Sequence, residues 1–273
     1  MVMLAKIITK FFLSLLLFCG FVVSSNSAVK FDNASVESAR AVLTQLAELS
    51  KKQALQTKAA QRLLAGEMLE LKISSFGKLT DTPDKVLLLE KNEAVGRFQL
   101  FGENNQVADV YFYLQYNSGW KVSAVRLLAL TGIIEQVYLG LKAKPNLTEE
   151  EKSELANSKL VLAPDKELKA WFTENRNLLD KLCFVLRAKK NSAAFYVSRD
   201  DKQFPEAAEL LRKLNLSTAS VETNGNIEIV IGGVTDNTVG FIYSSPKTPP
   251  KISPSSYIWV EEVATTWYLF RTT

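Results

Sequence analysis

The sequence predicts an α+β protein of two small domains, each with a helix packed on a mostly antiparallel sheet. Apolar residues recur at helical spacing over Ser35 to Glu70 and then give way to short strand-like runs separated by turn residues. The same order, helix and then strands, recurs in the second half. Between the halves, LKAKPNLTEEEK (141–152) contains Pro145, which interrupts any helix. We therefore expect domains at 29–144 and 145–273.

Residues 1–28 have the pattern of a secretory signal peptide. Lys6 and Lys10 precede the uncharged run FFLSLLLFCGFVV, and small polar residues continue to Ala28. The apolar run is shorter than the about 20 residues that a membrane-spanning helix needs. We therefore expect cleavage, a periplasmic or secreted protein, and no stable membrane span afterwards. The alternative is an uncleaved N-terminal segment that anchors the protein in the membrane.

Cysteine usage indicates a core without disulfides. Cys19 lies within the leader, and the preceding Leu17 and Phe18 are larger than the residues that precede a lipid-modified cysteine. After cleavage only Cys183 remains, so no intrachain disulfide can form and the core alone must stabilise the fold. No base lies next to Cys183 in the sequence, and we expect an inert core residue.

The absence of histidine restricts the possible chemistry more than any other feature. Catalysis by Ser–His–Asp or Cys–His is excluded, and so are most zinc sites. Neither GxGxxG nor GxxxxGK[ST] occurs, so these phosphate-binding loops are absent. The formal net charge is +4 and both signs are mixed along the chain, unlike a nucleic-acid-binding surface. We expect no cofactor, no metal and no nucleic-acid partner.

In the first half we expect one long helix or two shorter ones, followed by a strand meander. Ser35 is the predicted N-cap, and Gly66 is the first residue to interrupt the helical pattern. Asn and Gly residues separate the strand-like runs. The predicted strands are KVLLLEK (85–91), AVGRFQLF (94–101), VADVYFYLQY (107–116) and WKVSAVRLLAL (120–130).

The last two strands form a hairpin with two possible registers. A two-residue turn at Asn117–Ser118 would pair Gln115 with Trp120. A three-residue turn would pair Tyr116 with Trp120 and place Gly119 in the left-handed conformation. The second register is preferred because it collects the apolar residues on one face, and a one-residue slip would reverse every side chain. That face contains Val110, Phe112, Leu114, Tyr116, Trp120, Val122, Ala124, Leu128 and also Arg126.

Arg126 on an apolar face is a candidate ligand-binding residue, because a buried guanidinium must be paired. It could bind an anionic or polar ligand in a cleft, form an ion pair with an acid of the helix, or extend to solvent. Trp120, Tyr111 and Tyr113 complete the candidate set, the two tyrosines as exposed aromatics on the opposite, polar face together with Asp109. No catalytic residue is predicted.

The first half resembles the cystatin-like and nuclear-transport-factor-2-like folds over roughly 29–141. The resemblance rests on the N-terminal helix, the strand meander and GWKVSAVRLL as a late strand. It implies a helix across a curved sheet, in a superfamily of ketosteroid-isomerase-like enzymes and non-catalytic binding modules. Those enzymes use acids and tyrosines inside the cone, whereas Asp109, Tyr111 and Tyr113 are predicted on the opposite face.

The second half is expected to contain three helices and a small sheet. Thr148 and Glu151 form a capping box, and Asp165 is the predicted N-cap of a strongly amphipathic helix. Asn175 lies on its apolar stripe and is interpreted as a structural amide that ties down a neighbouring loop. A short helix over 205–216 follows. The predicted strands are SVET, IEIVIGG, VGFIYS, SYIWVEE and TWYLFRT, with a proline-rich connection at 245–255.

This half resembles an uncharacterised domain of bacterial envelope proteins and small lipoproteins over roughly 165–273. The resemblance rests on DKELKAWFTENRNLLDKL, on VGFIYS before a proline-rich stretch, and on the terminal WYLFRTT. It implies an envelope location and a helix followed by a small antiparallel sheet, and it implies no activity.

The favoured hypothesis is an exported, non-catalytic envelope protein that binds a protein or a small ligand. One alternative is an enzyme that uses carboxylates and arginine in a deep pocket where Arg126 meets an acid of raised pKa. The other is an inhibitor-type module that inserts a loop, such as 245–255, into the cleft of an extracellular enzyme.

The leader generates a direct prediction. The protein recovered from the periplasm or the medium of its natural host should lack residues 1–28, because signal peptidase cleaves after small residues such as Ala28. N-terminal sequencing and intact mass of each cell fraction measure this. Full-length chain in the cytosol would contradict export, and full-length chain in the membrane fraction would favour the anchor.

Overall fold

The computed structural model describes residues 34–102, 107–128, 130–188, 194–244 and 250–273. The predicted signal peptide and Cys19 lie outside the described residues. The fold is α+β with two antiparallel sheets, which confirms the predicted class. The chain divides into two compact units. Unit 1 comprises the chain up to Gly96 together with Tyr113–Ala124, and unit 2 comprises Arg97–Phe112 and Val125–Thr273. The predicted boundary at 144 stays a prediction.

Helices and strands alternate in blocks along the described chain. The helices are α1 (Val36–Lys51), α2 (Lys58–Gln61), α3 (Thr131–Lys142), α4 (Glu149–Leu162), α5 (Asp165–Ala188) and α6 (Pro205–Lys213), with a 3₁₀ turn at Gly66–Leu69. The strands are β1 (Lys78–Leu79), β2 (Lys85–Glu90), β3 (Glu93–Phe101), β4 (Val107–Tyr116), β5 (Trp120–Leu127), β6 (Phe195–Ser198), β7 (Thr218–Val221), β8 (Ile227–Val234), β9 (Asn237–Tyr243), β10 (Tyr257–Ala264) and β11 (Trp267–Thr272).

Unit 1 is built around α1, which packs against β1 and β2. Ser35 is its N-cap, as predicted, and its hydroxyl accepts a hydrogen bond from the backbone N–H of Ser38. The helix ends at Lys51, and the short helix α2 follows it. Two shorter helices are therefore present instead of one long helix. Gly96 of β3 allows the strand to approach α1, because a Cβ there would lie 2.1 Å from Cδ1 of Leu43.

The β4–β5 hairpin has three residues between its strands, as the preferred register requires. Ser118 has φ +57° and Gly119 has φ +145°, so the left-handed helical position falls on Ser118 and not on Gly119. The rings of Tyr116 and Trp120 meet edge to face at 5.2 Å. The predicted apolar face is buried at Val110, Phe112, Leu114, Trp120, Val122, Ala124 and Leu128.

Unit 2 contains the second sheet, with strand order β10-β11-β9-β8-β7-β6. Helix α5 packs against β11, α4 against β8, and α6 against β6 and α5. Phe172 of α5 is buried between aromatic rings of the sheet, with centroids 5.2 Å from Phe241 and 5.3 Å from Trp267. The apolar stripe predicted for α5 therefore covers the inner face of this sheet.

Two sequence predictions in this unit need correction. Asp165 does not cap α5: it is the first helical residue, and Pro164 precedes it with a carbonyl that accepts from Leu168 N–H. Helix α3 was not predicted: its residues lie between the predicted strand, which ends at 130, and the predicted link, which begins at 141. The capping box of Thr148 and Glu151 at α4 is confirmed. No helix of the described residues has the length and apolar character needed to cross a membrane.

Two glycines of unit 2 form a matched pair for testing the packing. A Cβ at Gly240 of β9 would lie 2.1 Å from the Ile229 carbonyl oxygen, whereas a Cβ at Gly140 of α3 would meet no atom within 4 Å. We expect Gly240→Ala to lower the free energy of unfolding by about 3 kcal/mol and Gly140→Ala to raise it by about 0.5–1 kcal/mol. Urea denaturation of both variants measures this, and equal effects would contradict the close strand packing.

Candidate functional site

A fully buried carboxylate, Asp165, lies between two arginines at the start of α5. Its Oδ2 accepts a hydrogen bond from Arg97 Nη1 at 2.5 Å and from the Tyr111 hydroxyl at 3.2 Å. Its Oδ1 accepts from Arg271 Nε at 2.8 Å. Both arginines are about 5–6% exposed, and Asp165 is 0% exposed. The three groups therefore form a desolvated ion-pair triad within unit 2.

A second acid extends this triad. Arg97 Nη1 also donates to Oε2 of Glu261 at 3.1 Å, and Lys169 Nζ donates to Oε1 at 2.5 Å. Trp259 Nε1 donates to Oε2 at 3.2 Å. The Trp259 ring in turn lies 5.1 Å from the Arg97 guanidinium carbon and stacks on Tyr111. We call Arg97, Asp109, Asp165, Glu261 and Arg271 the buried charge network.

Four strands and one helix supply the charged groups of the network, with Asp165 at the first position of α5. Arg97 lies in β3, Asp109 in β4, Glu261 in β10 and Arg271 in β11, where it pairs with Trp259 across the ladder. Removing one partner of a buried ion pair costs about 3–5 kcal/mol, because the remaining charge is left uncompensated. The network therefore favours the arrangement in which these strands contact the first turn of α5.

The electrostatics of Asp165 and Asp109 differ although the two acids touch. Burial alone would raise the pKa of Asp165, but attraction to Arg271 and Arg97 and their hydrogen bonds lower it below its usual value. Burial and repulsion by Asp165 raise the pKa of Asp109 to about 6, against the opposing pull of Arg271. Burial likewise raises the pKa of Tyr111, so its hydroxyl stays a donor.

One carboxylate oxygen of Asp109 accepts a hydrogen bond within the described residues, and the other does not. Its Oδ2 accepts from the backbone N–H of Asp165 at 2.7 Å and lies 3.8 Å from Arg271 Nη2. Among the described residues, Oδ1 has no hydrogen-bond partner. The side chain is only 2% exposed. Among the described residues, Oδ1 of Asp109 is not one of the fully enclosed side-chain atoms that lack a hydrogen-bond partner, so it is reached from the surface that it lines.

Asp109 lies at a cleft of about 380 Å³ within unit 2. Helix α3 forms one wall, the ends of β3, β4 and β5 form another, and the α4–α5 junction forms a third. The apolar lining residues are Leu100, Val107, Ala108, Leu127, Leu128, Val161, Leu162, Ala163 and Pro164. The lining residues with polar side chains are Asp109, Thr131, Glu135, Tyr138, Lys159, Glu167 and Arg271.

A wider depression of about 660 Å³ lies elsewhere on unit 2, between α4, α6 and the loop after β6. Its polar side chains include Glu149, Lys152 and Arg212, which are exposed to solvent. Lys152 pairs with Glu149 at 2.6 Å on the helix surface. Because exposed pairs of this kind contribute little and no desolvated group lines this depression, the cleft beside Asp109 is the better candidate site.

The four residues predicted to bind a ligand are divided between the two units. Trp120 and Tyr113 belong to unit 1, where Trp120 is buried and donates from Nε1 to the Ser38 hydroxyl at 2.9 Å. Arg126 and Tyr111 belong to unit 2, and Arg126 donates from Nε to the Pro254 carbonyl at 2.7 Å. None of the four lines the cleft.

The predicted exposure of the β4 tyrosines is wrong. Tyr111 is 0% and Tyr113 4% exposed, and Asp109 is buried with them. All six residues from Asp109 to Leu114 are buried, so both faces of this strand are covered. The alternation rule assigns one face to solvent only when a sheet has one wet side.

The other two singled-out residues, Asn175 and Cys183, lie on α5. Asn175 donates to the Trp171 carbonyl at 2.9 Å, one turn earlier in the same helix, and ties down no loop. Cys183 is buried, and desolvation raises the pKa of its thiol, which disfavours the reactive thiolate. Within the described ranges, no group of three or more acids or cysteines is placed to hold a metal ion.

Sequence reasoning missed three charged residues of the network and the helix that forms one wall of the cleft. Arg97, Glu261 and Arg271 each interrupt an apolar strand run, the same signal that singled out Arg126. Helix α3 also had a signal, since Ile134, Tyr138 and Leu141 follow one another at helical spacing.

Comparison with known proteins assigns no family to this chain. No family model matches the chain, and no curated protein and no solved structure matches it.

The raised pKa of Asp109 predicts a pH dependence of stability. The folded protein keeps on Asp109 a proton that the unfolded chain releases from about pH 4 upward. Its stabilising contribution is therefore present below pH 4 and is lost as pH rises through about 6. Asp109→Asn does not titrate, so its free energy of unfolding relative to the wild type should rise between about pH 4 and pH 6.

Urea denaturation of both proteins at several pH values measures this difference. Glu174→Gln, which removes an exposed carboxylate of α5, is the control and should follow the wild type in parallel. If Asp109→Asn also ran parallel to the wild type, the pKa of Asp109 would not be raised in the folded state.

Proposed function

We propose that the protein is an exported, non-catalytic binding protein that holds a small, largely apolar ligand in the cleft of unit 2. One observation supports this most directly: a concave site of about 380 Å³ with mainly apolar walls contains a buried carboxylate with an unoccupied acceptor oxygen. Small-molecule sites typically combine apolar walls with a few placed polar groups in a volume of this order.

The state of the polar groups favours binding over catalysis. Arg271 at the cleft already donates through Nε to Asp165 and through Nη2 to the Ala163 carbonyl, at 2.8 Å each. Two of its three guanidinium nitrogens are thus engaged within unit 2, and Asp165 opposes its charge, which reduces its capacity to stabilise charge that develops on a substrate. Export is supported by the leader pattern of residues 1–28.

An enzyme remains the second candidate because of one observation. A carboxylate with pKa about 6 at a cleft is suited to act as a general base near neutral pH. The arginine beside it is Arg271 and not Arg126, which differs from the arrangement expected for a carboxylate–arginine enzyme. Recovery of the bound molecule chemically unchanged after long incubation would favour the binding protein, and turnover would favour the enzyme.

The inhibitor hypothesis depends on the connection at 245–255. Residues 245–249 lie outside the described residues. It therefore stays a hypothesis.

A cleft-filling substitution tests the binding proposal. Ala108 is exposed and lines the cleft, so Ala108→Trp should fill it without disturbing the core. With the neutral fluorescent probe N-phenyl-1-naphthylamine, the wild-type full chain should bind one molecule per chain. Ala108→Trp should weaken this binding at least about tenfold.

The matched control is Ala170→Trp, at an exposed position of α5 away from the cleft. It adds the same side chain to the surface and should bind the probe within about twofold of the wild type. Equal binding by Ala108→Trp and the wild type, or no binding by any variant, would contradict the proposal.

A further inference from the structure

We infer that the ligand of this cleft is a primary ammonium compound with an apolar body, whose ammonium group donates a hydrogen bond to Oδ1 of Asp109. The inference rests on the proposed function and names the chemical class that the cleft would recognise.

The first step is the geometry of Asp109. Its Oδ2 is held by the Asp165 backbone N–H at 2.7 Å, which fixes the carboxylate and leaves Oδ1 as the oxygen that a ligand can use. An ionised carboxylate only accepts hydrogen bonds. Since Oδ1 opens to the cleft and accepts no hydrogen bond from the described residues, a ligand that donates there gains a charge-assisted hydrogen bond, and one that only accepts does not.

The second step concerns the arginine at the same site. Arg271 would attract an anionic ligand if its charge were uncompensated. However, its charge is opposed by Asp165, which is completely buried, and its Nε and Nη2 already donate within the protein. A carboxylate ligand would therefore meet a guanidinium whose charge is offset by Asp165 and whose Nε and Nη2 donate elsewhere, beside an acid that repels it.

The third step is the charge of the lining as a whole. Besides Asp109, the acids Glu135 and Glu167 line the cleft, while Lys159 is the lining cation apart from Arg271. The lining thus contains three acids and two cations, and Arg271 is also paired with Asp165. Such a surface favours a cation by Coulomb attraction, and the low exposure of Asp109 strengthens that attraction.

The fourth step is the body of the ligand. Leu100, Val107, Leu128, Val161 and Leu162 provide aliphatic surface on several sides of the cleft. Burying apolar area there is favourable in proportion to that area. An aryl or alkyl chain ending in an ammonium group satisfies both the walls and Asp109.

Three probes with one body separate the head groups: 4-phenylbutylamine, 4-phenylbutanol and 4-phenylbutyrate. Calorimetric titration of the full chain near neutral pH gives their dissociation constants. We expect the amine to bind most tightly and the carboxylate at least about tenfold more weakly.

The decisive variant is Asp109→Asn. Its amide oxygen can still accept from the Asp165 N–H, while its NH₂ group faces the cleft and converts the acceptor into a donor. We expect the preference for the amine to disappear and the carboxylate to gain affinity. Glu174→Gln removes an exposed acid of α5 away from the cleft and should leave all three affinities within about twofold.

A second variant keeps the test independent of the network. Ala108→Lys places a cation at an exposed lining position and leaves Asp109 intact, and it should also abolish the amine preference. An amine preference that persists in either variant would overturn the assignment to Asp109.

The failures of the two proposals are distinguishable. If the three probes bind the wild type equally and Ala108→Trp blocks all of them, the cleft binds ligands but the ammonium inference is wrong. The inference is also wrong if the neutral naphthylamine probe binds and the amine does not. If neither binds, the proposed function itself fails.

Discussion

The carboxylate of Asp165, buried between Arg97 and Arg271, is the interaction on which the arrangement of unit 2 depends. Charges in a protein interior are tolerated only when each is paired and hydrogen-bonded. This requirement brings the first turn of α5, the strand β3 and the strand β11 to one point. Any alternative packing that separated them would leave two guanidinium groups or one carboxylate desolvated and alone. The network therefore favours one arrangement of these elements over its competitors, whatever its net contribution to stability.

The same constraint determines what the cleft can recognise. The network uses one oxygen of Asp109 and two of the three guanidinium nitrogens of Arg271, and the acid keeps Oδ1 as an acceptor at the cleft. Burial and repulsion by Asp165 raise the pKa of Asp109, so ionising its carboxyl group costs more free energy than in water. A donor from a ligand would offset that cost. In this way a structural ion-pair network and a candidate binding site share a single side chain.

Helix caps and strand limits could be predicted from the sequence where a few neighbouring residues determine them. The caps at Ser35 and Thr148 and the limits of β4 follow from hydrogen-bonding side chains and alternation within a short window. The site residues were not predictable in the same way. Asp109 and Tyr111 were assigned to a wet face because alternation was interpreted for a sheet covered on one side, whereas β4 is covered on both. Arg126 has the same sequence signal as Arg97 and Arg271, yet it donates to the Pro254 carbonyl.

The sequence by itself determined the α+β class, the positions of most elements, and the restriction on chemistry that follows from a chain without histidine. These depend on composition and on contacts between residues close in the chain. Only the tertiary structure decided which charged residues meet. Asp165 lies 68 positions and Glu261 164 positions after Arg97 in the sequence, and no local pattern encodes such pairs. Burial and partner choice are set by the packing of whole elements. For that reason the cleft and the acceptor oxygen of Asp109 could be identified only from the tertiary structure.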